Sequence, residues 1–418
     1  AVGGASLDAN TTGASNVAIG WNSMTTNTTA SENTAVGQSS LGLNTTGASN
    51  TAIGKSALGA NTTGTLNTAV GHGAMSSVTT ASQNTAVGRG ALDAVTTTGQ
   101  HTAMGDNALG ACTTGINNTA FGAQAGSAIT EGQENVAVGA YALDAVTTAS
   151  YSTAVGTSSL GAATSGGFNT AFGRHSGVAV TTASGLVLIG ERAGGVMTTG
   201  GNNTALGQLS LAATTTGATN VAVGTTAGNA ITTGANNTAI GASSNQVTTT
   251  GNSNTHIGML ARASGTGTTQ EMVMGYNSVG KGDTTAFINP GTGPVYAGNN
   301  ATTFSQTSDR RIKKDIIPNN KGLESIKQIE PKYFYYKSDE EMQAELPDAQ
   351  EGLPLDKQFT SAIAQELKEV FPEAIEERTE NKIMSVNTDP IFWSMVNAIK
   401  ELSAKNDALE ARLTTLEG

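Results

Sequence analysis

The residues best suited to chemistry lie in a short charged segment, where Ser308 precedes Lys313 by five positions. A serine hydroxyl is a weak nucleophile unless a base removes its proton, and a lysine with a lowered pKa can act as that base. Five residues are few enough for the two side chains to meet in a folded turn. The segment also contains two arginines and a second lysine, so the short motif alone favours a solvated basic turn beside an incidental serine.

The composition divides the chain into two parts. Residues 1–304 contain 50 of the 53 glycines and 16 charged residues, whereas residues 305–418 contain 37 charged residues. The net charge of −11 argues against a nucleic-acid partner, because phosphate binding requires clustered Lys and Arg. No apolar run approaches the roughly 20 residues of a membrane-spanning helix, so we expect no membrane insertion. The chain begins at Ala1 without a signal-like segment, and we expect a processed chain or a fragment that lacks an upstream anchor.

The glycine-rich part is a regular repeat. Seventeen glycines, each preceded by an apolar residue, follow one another every 17 residues from Gly3 to Gly275. Disordered sequence has no reason to keep such a register, whereas solenoid coils must stack in register to bury an apolar face. We expect two short strands in each coil, broken by glycine turns. The sequence therefore predicts a mainly β fold, with a parallel β-solenoid of seventeen coils over residues 1–279 that is roughly 80 Å long at ~4.8 Å per coil.

Two positions of the coil predict specific contacts. An asparagine recurs four residues before the repeat glycine, as at Asn33, Asn50 and Asn67, and stacked coils should align these amides in a ladder. The residue two before the glycine is nearly always alanine, which suits a close approach to another backbone or chain. The sequence at 50–57, which runs Asn-Thr-Ala-Ile-Gly-Lys-Ser-Ala, resembles the head repeat of trimeric autotransporter adhesins. That resemblance implies a left-handed parallel β-roll, with three chains packed around one axis.

The C-terminal part has a different character. Residues 280–304 break the repeat and are rich in turn residues, so we expect a connector that caps the last coil. Several segments of residues 305–418 closely resemble the intramolecular chaperone domain of phage tail spikes and fibres, of the endosialidase type, including its marker pattern Ser-Asp-x-Arg-x-Lys. These segments are 308–316, 323–329, 331–336, 362–367 and 370–373. We expect a small α+β domain.

The resemblance implies a self-cleaving activity. In that family the domain trimerises the nascent fibre and then releases itself next to the marker serine. Carried over to this sequence, Ser308 is the nucleophile, Lys313 is the general base and Ser308–Asp309 is the scissile bond, while Asp309 and Arg311 shape the site. Because several segments agree in order, we expect a serine-type endopeptidase of the Ser-Lys class that acts on its own chain and has no external substrate.

The last segment, residues 390–417, predicts a coiled-coil helix. Apolar residues alternate at spacings of 3 and 4, as in an a/d heptad seam, and Asn406 occupies one core position. An amphipathic helix packed on its own domain would give a similar spacing, but four heptads favour a coiled coil. The residues expected to trimerise are Ile399, Leu402, Asn406, Leu409, Leu413 and Leu416, preceded in the seam by Phe392 and Met395.

The remaining reactive residue types form no recognisable set. The histidines occupy unrelated offsets within their coils, which favours surface or turn positions over a metal site; they are His72, His101, His175 and His256. Cys112 falls where other coils carry Val or Ile, so we expect a small interior hydrophobic residue. We predict no metal and no cofactor. Scattered acidic residues give little support to a glycosidase site.

These expectations predict a homotrimeric phage tail fibre in the virion, which binds a host-surface glycan or protein receptor. One alternative is a trimeric adhesin on a bacterial cell surface that retains the chaperone domain as a cap. Adjacent threonine pairs such as Thr45–Thr46 also suggest ice binding, but neighbouring residues point to opposite faces, so this alternative is minor.

Overall fold

The computed structural model describes residues 1–290, 295–297, 310, 314–338, 340–341, 358–377 and 384–417. The chain forms two compact units, Ala1–Thr307 and Ser308–Gly418. Strands and turns build the described part of the first unit, and the described helices lie in the second.

The first unit is a parallel β-solenoid, as predicted. Successive strands pair in register at an offset of 17 residues, so that Val17 lies opposite Thr34 and Ala18 opposite Ala35. An isolated bridge between Val2 and Ile19 adds the first coil to the stack. The strands are β1 (Val17–Ile19), β2 (Thr34–Val36), β3 (Thr51–Ile53), β4 (Thr68–Val70), β5 (Thr85–Val87), β6 (Thr102–Met104), β7 (Thr119–Phe121), β8 (Val136–Val138), β9 (Thr153–Val155), β10 (Thr170–Phe172), β11 (Val187–Ile189), β12 (Thr204–Leu206), β13 (Val221–Val223), β14 (Thr238–Ile240), β15 (Thr255–Ile257), β16 (Met272–Met274), β17 (Ala286–Ile288) and β18 (Val295–Ala297).

Each coil contributes one strand of three residues, so the expectation of two strands per coil is wrong. The reason is the backbone of the other residues. In the coil that begins at Gly20, the non-glycine residues Asn22, Met24 and Glu32 have φ of 55°, 52° and 62°. Left-handed residues reverse the chain direction and cannot extend a strand. The rest of the coil is therefore a series of turns.

The sheet ends with a change of spacing and direction. β16 and β17 are still parallel, but Met272 pairs with Ala286, an offset of 14 residues instead of 17. β18 then pairs with β17 in the antiparallel direction. A parallel edge strand would leave backbone groups unpaired, and a strand that turns back on it satisfies part of that edge.

The repeat glycine is required by the contact between coils. Gly37 has a φ of +135°, which non-glycine residues rarely adopt, and a Cβ atom there would lie 2.6 Å from the carbonyl oxygen of Gly54 in the next coil. A side chain would therefore collide with backbone that cannot move aside. Both constraints recur at the equivalent glycine of each neighbouring coil, which explains the unbroken 17-residue period.

The interior of the solenoid is narrow and mostly apolar. The alanine at the centre of each strand is buried in its own coil, as Ala52 and Ala69 show, so it approaches the interior of the same chain and not a second chain. At two further interior positions, a small residue at one is accompanied by a large residue at the other. Gly126 takes the place of the leucine found at the equivalent Leu109, and a Cβ atom on Gly126 would lie 3.0 Å from Cδ1 of Ile129. Where one position is empty, the residue three positions later is large.

The predicted asparagine ladder is confirmed. The backbone N–H of Asn50 donates to Oδ1 of Asn33 at 2.9 Å, and the side-chain Nδ2 of Asn50 donates to the carbonyl of Gly64 at 2.8 Å. The first threonine of each pair forms a second ladder, in which the Thr45 hydroxyl donates to the carbonyl of Thr62 at 3.0 Å. These hydroxyls bond along the stack, which leaves one threonine of each pair for the surface and does not favour ice binding.

In its described residues, the second unit contains two antiparallel strand pairs and several α-helices. Strand β19 pairs with β20, and β21 pairs with β22. Its small core consists of Leu367, Phe371 and Ala374, with partly buried apolar residues around them. The elements are α1 (Leu323–Ile326), β19 (Lys332–Phe334), β20 (Phe359–Ser361), α2 (Ala364–Val370), a 3-10 helix (Pro372–Ala374), β21 (Ile375–Glu377), β22 (Met384–Val386) and α3 (Asp389–Glu417).

Candidate functional site

The predicted cleavage residues lie outside the described residues. These are Ser308, Asp309, Arg311 and Lys313. Their roles as nucleophile, general base and site-shaping residues therefore stay predictions from the sequence. The structure does describe the segment that follows them.

That segment is attached to the core of the second unit through Lys321. Its ammonium donates hydrogen bonds to the carbonyl of Val370 and, at 3.0 Å, to Oε2 of Glu373. It also lies 4.6 Å from the centre of the Phe371 ring, within the range of a cation–π interaction. Burial raises the pKa of Glu373, but hydrogen bonds from its own backbone and from Lys321 outweigh this and lower the pKa overall. One lysine thus ties the segment to α2 and to the 3-10 helix.

Helix α3 holds the same segment from another side. Asn397 donates from Nδ2 to the carbonyl of Asn319 at 2.9 Å, and Oε2 of Glu401 accepts the backbone N–H of Leu323 at 2.9 Å. A Cβ atom on Gly322 would collide with the Glu401 carboxylate, so a larger residue there would displace this side chain. The chain that leaves the predicted cleavage segment is therefore fixed to the helix predicted to trimerise. Sequence reasoning missed Lys321, Asn397 and Glu401 because their contacts join residues far apart in the chain.

Helix α3 has an exposed apolar seam in the single chain. Only Ser394 and Ala398 are buried, and both lie in the N-terminal part of the helix. Asn406, the polar residue of the seam, donates from Nδ2 to Oε1 of Glu410 at 2.9 Å. The seam residues with exposed side chains are Phe392, Met395, Ile399, Leu402, Leu409, Leu413 and Leu416. An ordinary amphipathic helix would cover such residues on its own domain.

A second apolar surface runs along the solenoid. The first and third residues of each strand point outward, away from the buried alanine, and many of them are large. We call this surface the outer sheet face. Its exposed members are Val2, Val17, Ile19, Ile53, Met104, Phe121, Phe172, Val187, Ile189, Leu206, Val221, Ile240 and Met272, with exposed fractions from 37% to 65%.

Two of the four histidines contradict the expectation of surface positions. His72 and His175 are exposed and half-buried, as expected, but His101 and His256 are 1% and 0% exposed. His101 occupies the ladder position of asparagine. Its backbone N–H donates to Oδ1 of Asn84 at 3.0 Å, and its Nδ1 accepts the N–H of Asn118 at 3.3 Å. An imidazole nitrogen thus replaces the amide oxygen of the ladder.

Burial makes His101 a pH-sensitive element of the solenoid. Loss of hydration lowers its pKa from 6.5 to about 4, against weaker opposing hydrogen bonds to the backbones of Gly115 and Asn118. The unfolded chain takes up a proton below pH ~6.5 and the folded chain only near pH 4, so stability is lost as the pH falls through this window, by about 3 kcal/mol. We expect the denaturation midpoint of the wild type to fall more steeply between pH 7 and pH 4 than that of His101→Asn, which keeps the ladder. Parallel pH profiles would contradict the assignment.

Cys112 is a buried interior residue, as predicted. Its side chain is 0% exposed, and burial raises the pKa of the thiol to about 11. Its Sγ atom lies 3.9 Å from Nε2 of His101. A protonated thiol in the core is not a reactive nucleophile.

The described part of the chain contains no cluster of three or more His, Cys, Asp or Glu residues that could hold a metal ion. Among the helices that the structure describes, none is long and apolar enough to cross a membrane.

Comparison with protein families finds a similarity within the second unit. A family model described as chaperone of endosialidase matches residues 308–376. The match begins at the predicted nucleophile and includes α1, β19, β20, α2 and the 3-10 helix. Helix α3 follows the matched region. The chain therefore joins a β-solenoid of 17-residue coils to a C-terminal region that matches the chaperone-of-endosialidase family model over residues 308–376.

Proposed function

We propose that this chain is one subunit of a homotrimeric phage tail fibre. Its C-terminal domain assembles the trimer and is then released by cleavage at Ser308–Asp309. The mature fibre is the solenoid, which contacts a glycan or a protein on the host surface. The observation that carries the proposal is the outer sheet face, a row of exposed and half-buried apolar side chains on a chain whose interior is already filled.

The outer sheet face supports a trimer on energetic grounds. Soluble monomers rarely expose long apolar patches, and such patches mark interaction surfaces. The face extends along the stack from Val2 to Met272, which suits a partner of the same length and period. A second and third copy of the same solenoid meet that requirement, because their coils repeat at the same interval.

The exposed seam of α3 gives the assembly a starting point. Three long parallel stacks with nearly identical coils can pair in many wrong registers, and such non-local pairing is slow. A short C-terminal coiled coil would bring the three chains together before the solenoids pair. Asn406 in the seam favours one alignment of the helices, since a buried polar residue penalises shifted registers.

The proposed cleavage is a serine-type acyl transfer. The Ser308 hydroxyl oxygen attacks the carbonyl carbon of the Ser308–Asp309 bond while Lys313 accepts the hydroxyl proton. The C–N bond breaks and the amine of Asp309 leaves with a proton from Lys313. Because the hydroxyl and the carbonyl belong to the same residue, the ester is a four-membered β-lactone, which water hydrolyses to regenerate the serine. The released solenoid has lost its trimerising domain, so its stability depends on a high barrier to unfolding.

A charge on the outer sheet face tests the proposed trimer. Ile189→Lys, made in a Ser308→Ala chain to prevent cleavage, would place three like charges in one interface. We expect the Ser308→Ala chain to have three times the 41.9 kDa of one chain in light-scattering or sedimentation measurements, and Ile189→Lys to lose this species. Thr182→Lys, at an exposed turn, is the control and should stay trimeric. A monomeric parent would reject the trimer, and a trimeric Ile189→Lys would reject this face as its interface.

A further inference from the structure

One coil of the solenoid has a polar interior. In the coil of residues 241–257, four inward positions carry polar side chains, namely Ser244, Asn245, Thr248 and His256. Many other coils carry alanine at the positions of Ser244 and His256, leucine or glycine at that of Asn245, and valine or isoleucine at that of Thr248. All four are 0% exposed. One apolar core cluster ends at Ala239 and another begins at Ala261, so this coil forms a polar layer between two apolar cores.

The polar layer contains an unusual concentration of unpartnered atoms. Among the described residues, seven buried side-chain nitrogen or oxygen atoms have no hydrogen-bond partner, and six of them belong to this layer. They are Oγ of Ser244, both polar atoms of Asn245, Oγ1 of Thr248 and both ring nitrogens of His256. Each buried polar group without a partner costs about 1–3 kcal/mol. Native proteins satisfy such groups with water or ions.

The repeat places these side chains close together. One residue pair with the same spacing is Gly177 and Leu188, where a Cβ atom on Gly177 would lie 2.7 Å from Cδ1 of Leu188. Asn245 and His256 occupy the equivalent positions, and the same spacing would place their side chains next to each other. The spacing of the repeat thus brings the side chains at positions 245 and 256 together within one coil.

A buried carboxylate from the next coil completes the layer. Glu271 occupies the ladder position of asparagine and its side chain is 0% exposed. Its two oxygens accept the backbone N–H groups of Ser264 at 3.0 Å and of Gly282 at 2.7 Å. Oε2 lies 3.8 Å from Nε2 of His256. That distance is too long for an ordinary hydrogen bond, although the two groups lie within ion-pairing distance.

We propose that the polar layer binds one divalent transition-metal cation, of which zinc is the best fit. His256 and Glu271 supply the first two ligands. Two tetrahedral ligands that each lie roughly 2.0–2.2 Å from a zinc ion are about 3.4 Å apart, so the 3.8 Å between these atoms would have to shorten slightly when the ion binds. The amide oxygen of Asn245 and the hydroxyl of Thr248 or Ser244 complete the coordination. An imidazole ligand favours zinc over magnesium and calcium, which prefer oxygen alone.

The site has a structural role, because its ligands are closed to solvent and a catalytic metal needs an open position. The cation enters as the coil folds and joins the last full coils of the solenoid, through ligands from two successive coils. Its binding energy then becomes stability of this end of the stack. The inference concerns one chain and does not depend on the trimer or on cleavage.

Metal content of the full chain tests the proposal. The wild type is expressed in medium supplemented with zinc, purified without chelator, and analysed for all metals by plasma mass spectrometry. We expect about one transition-metal ion per chain. His256→Ala and Glu271→Asn restore the residues of the other coils, so both should fold while their metal content falls about tenfold or more. His101→Asn, which changes the other buried histidine, should keep the metal.

Each outcome decides the proposal. Loss of metal in His256→Ala and Glu271→Asn, with a lower melting temperature after the wild type is unfolded and refolded in chelator, supports it. A wild type without metal overturns it, and so does a metal content that both variants retain. A metal-free wild type that becomes more stable on His256→Ala would show that the layer is filled by water or left unsatisfied.

Discussion

The wild-type chain is expected to separate into two fragments, residues 1–308 and 309–418, whereas Ser308→Ala and Lys313→Ala stay intact at 41.9 kDa. The serine variant lacks the nucleophile, and the lysine variant lacks the base that would take its proton. Loss of either group from a catalytic pair commonly lowers the rate by a factor of about 10³ or more. Denaturing gels and intact-mass measurements of freshly expressed chains over several hours would follow the reaction.

Lys314→Ala is the matched control for this experiment. It removes one charge from the same basic segment, so it should cleave at close to the wild-type rate if Lys313 is the base. A wild type that stays intact under these conditions would contradict self-cleavage and leave the domain as a permanent cap. Cleavage that persists in Ser308→Ala would assign the nucleophile to another residue.

Leu409→Asp on the seam of α3 is expected to abolish trimer assembly in the uncleaved chain. Leu409 is 61% exposed in the single chain and would be covered in a coiled coil. The change removes about 1.5–3 kcal/mol of apolar burial per helix and adds a buried charge in each of three helices. When Leu409→Asp is made in a Ser308→Ala chain, we expect the trimeric fraction to fall at least tenfold, as measured by light scattering on the purified protein.

Ala411→Asp places the same charge on the opposite side of the helix. This position faces away from a seam formed by Leu409 and Leu413, so its trimer should form normally. Equal assembly of both variants would show that the seam packs on something other than a second helix. If Ala411→Asp is also monomeric, the trimer is lost because helix α3 is less stable and not because the seam is disrupted.

The solenoid could be predicted from the sequence to an unusual depth, because every coil reports on the same geometry. The in-register strands and the amide ladder through Asn33 and Asn50 followed from the 17-residue period alone. The number of strands per coil did not, because side-chain types do not reveal that Asn22, Met24 and Glu32 adopt left-handed backbone. The 17-residue period shows which residues stack on one another, but the path of the chain between these residues depends on its backbone angles.

The buried histidines show where position-by-position comparison would have succeeded. His101 lies four residues before its repeat glycine, at the offset of the ladder asparagines, and His256 lies at the offset of the central strand alanine. Both offsets point inward, so burial was readable from the sequence. The attachment of Lys321 to Val370 was not, because no repeat relates these residues and their contact depends on how the second unit folds.

The unbroken register of the coils has a consequence for the evolution of this chain. Each coil presents the same backbone groups to the coil above and to the coil below. A whole coil can therefore be gained or lost while the contacts between neighbouring coils stay of the same kind. Recombination between near-identical repeats would change the length of the solenoid by whole coils, in steps of ~4.8 Å. The proposed cation site needs His256 and Glu271 in successive coils, so the gain or loss of a coil between them would remove the site.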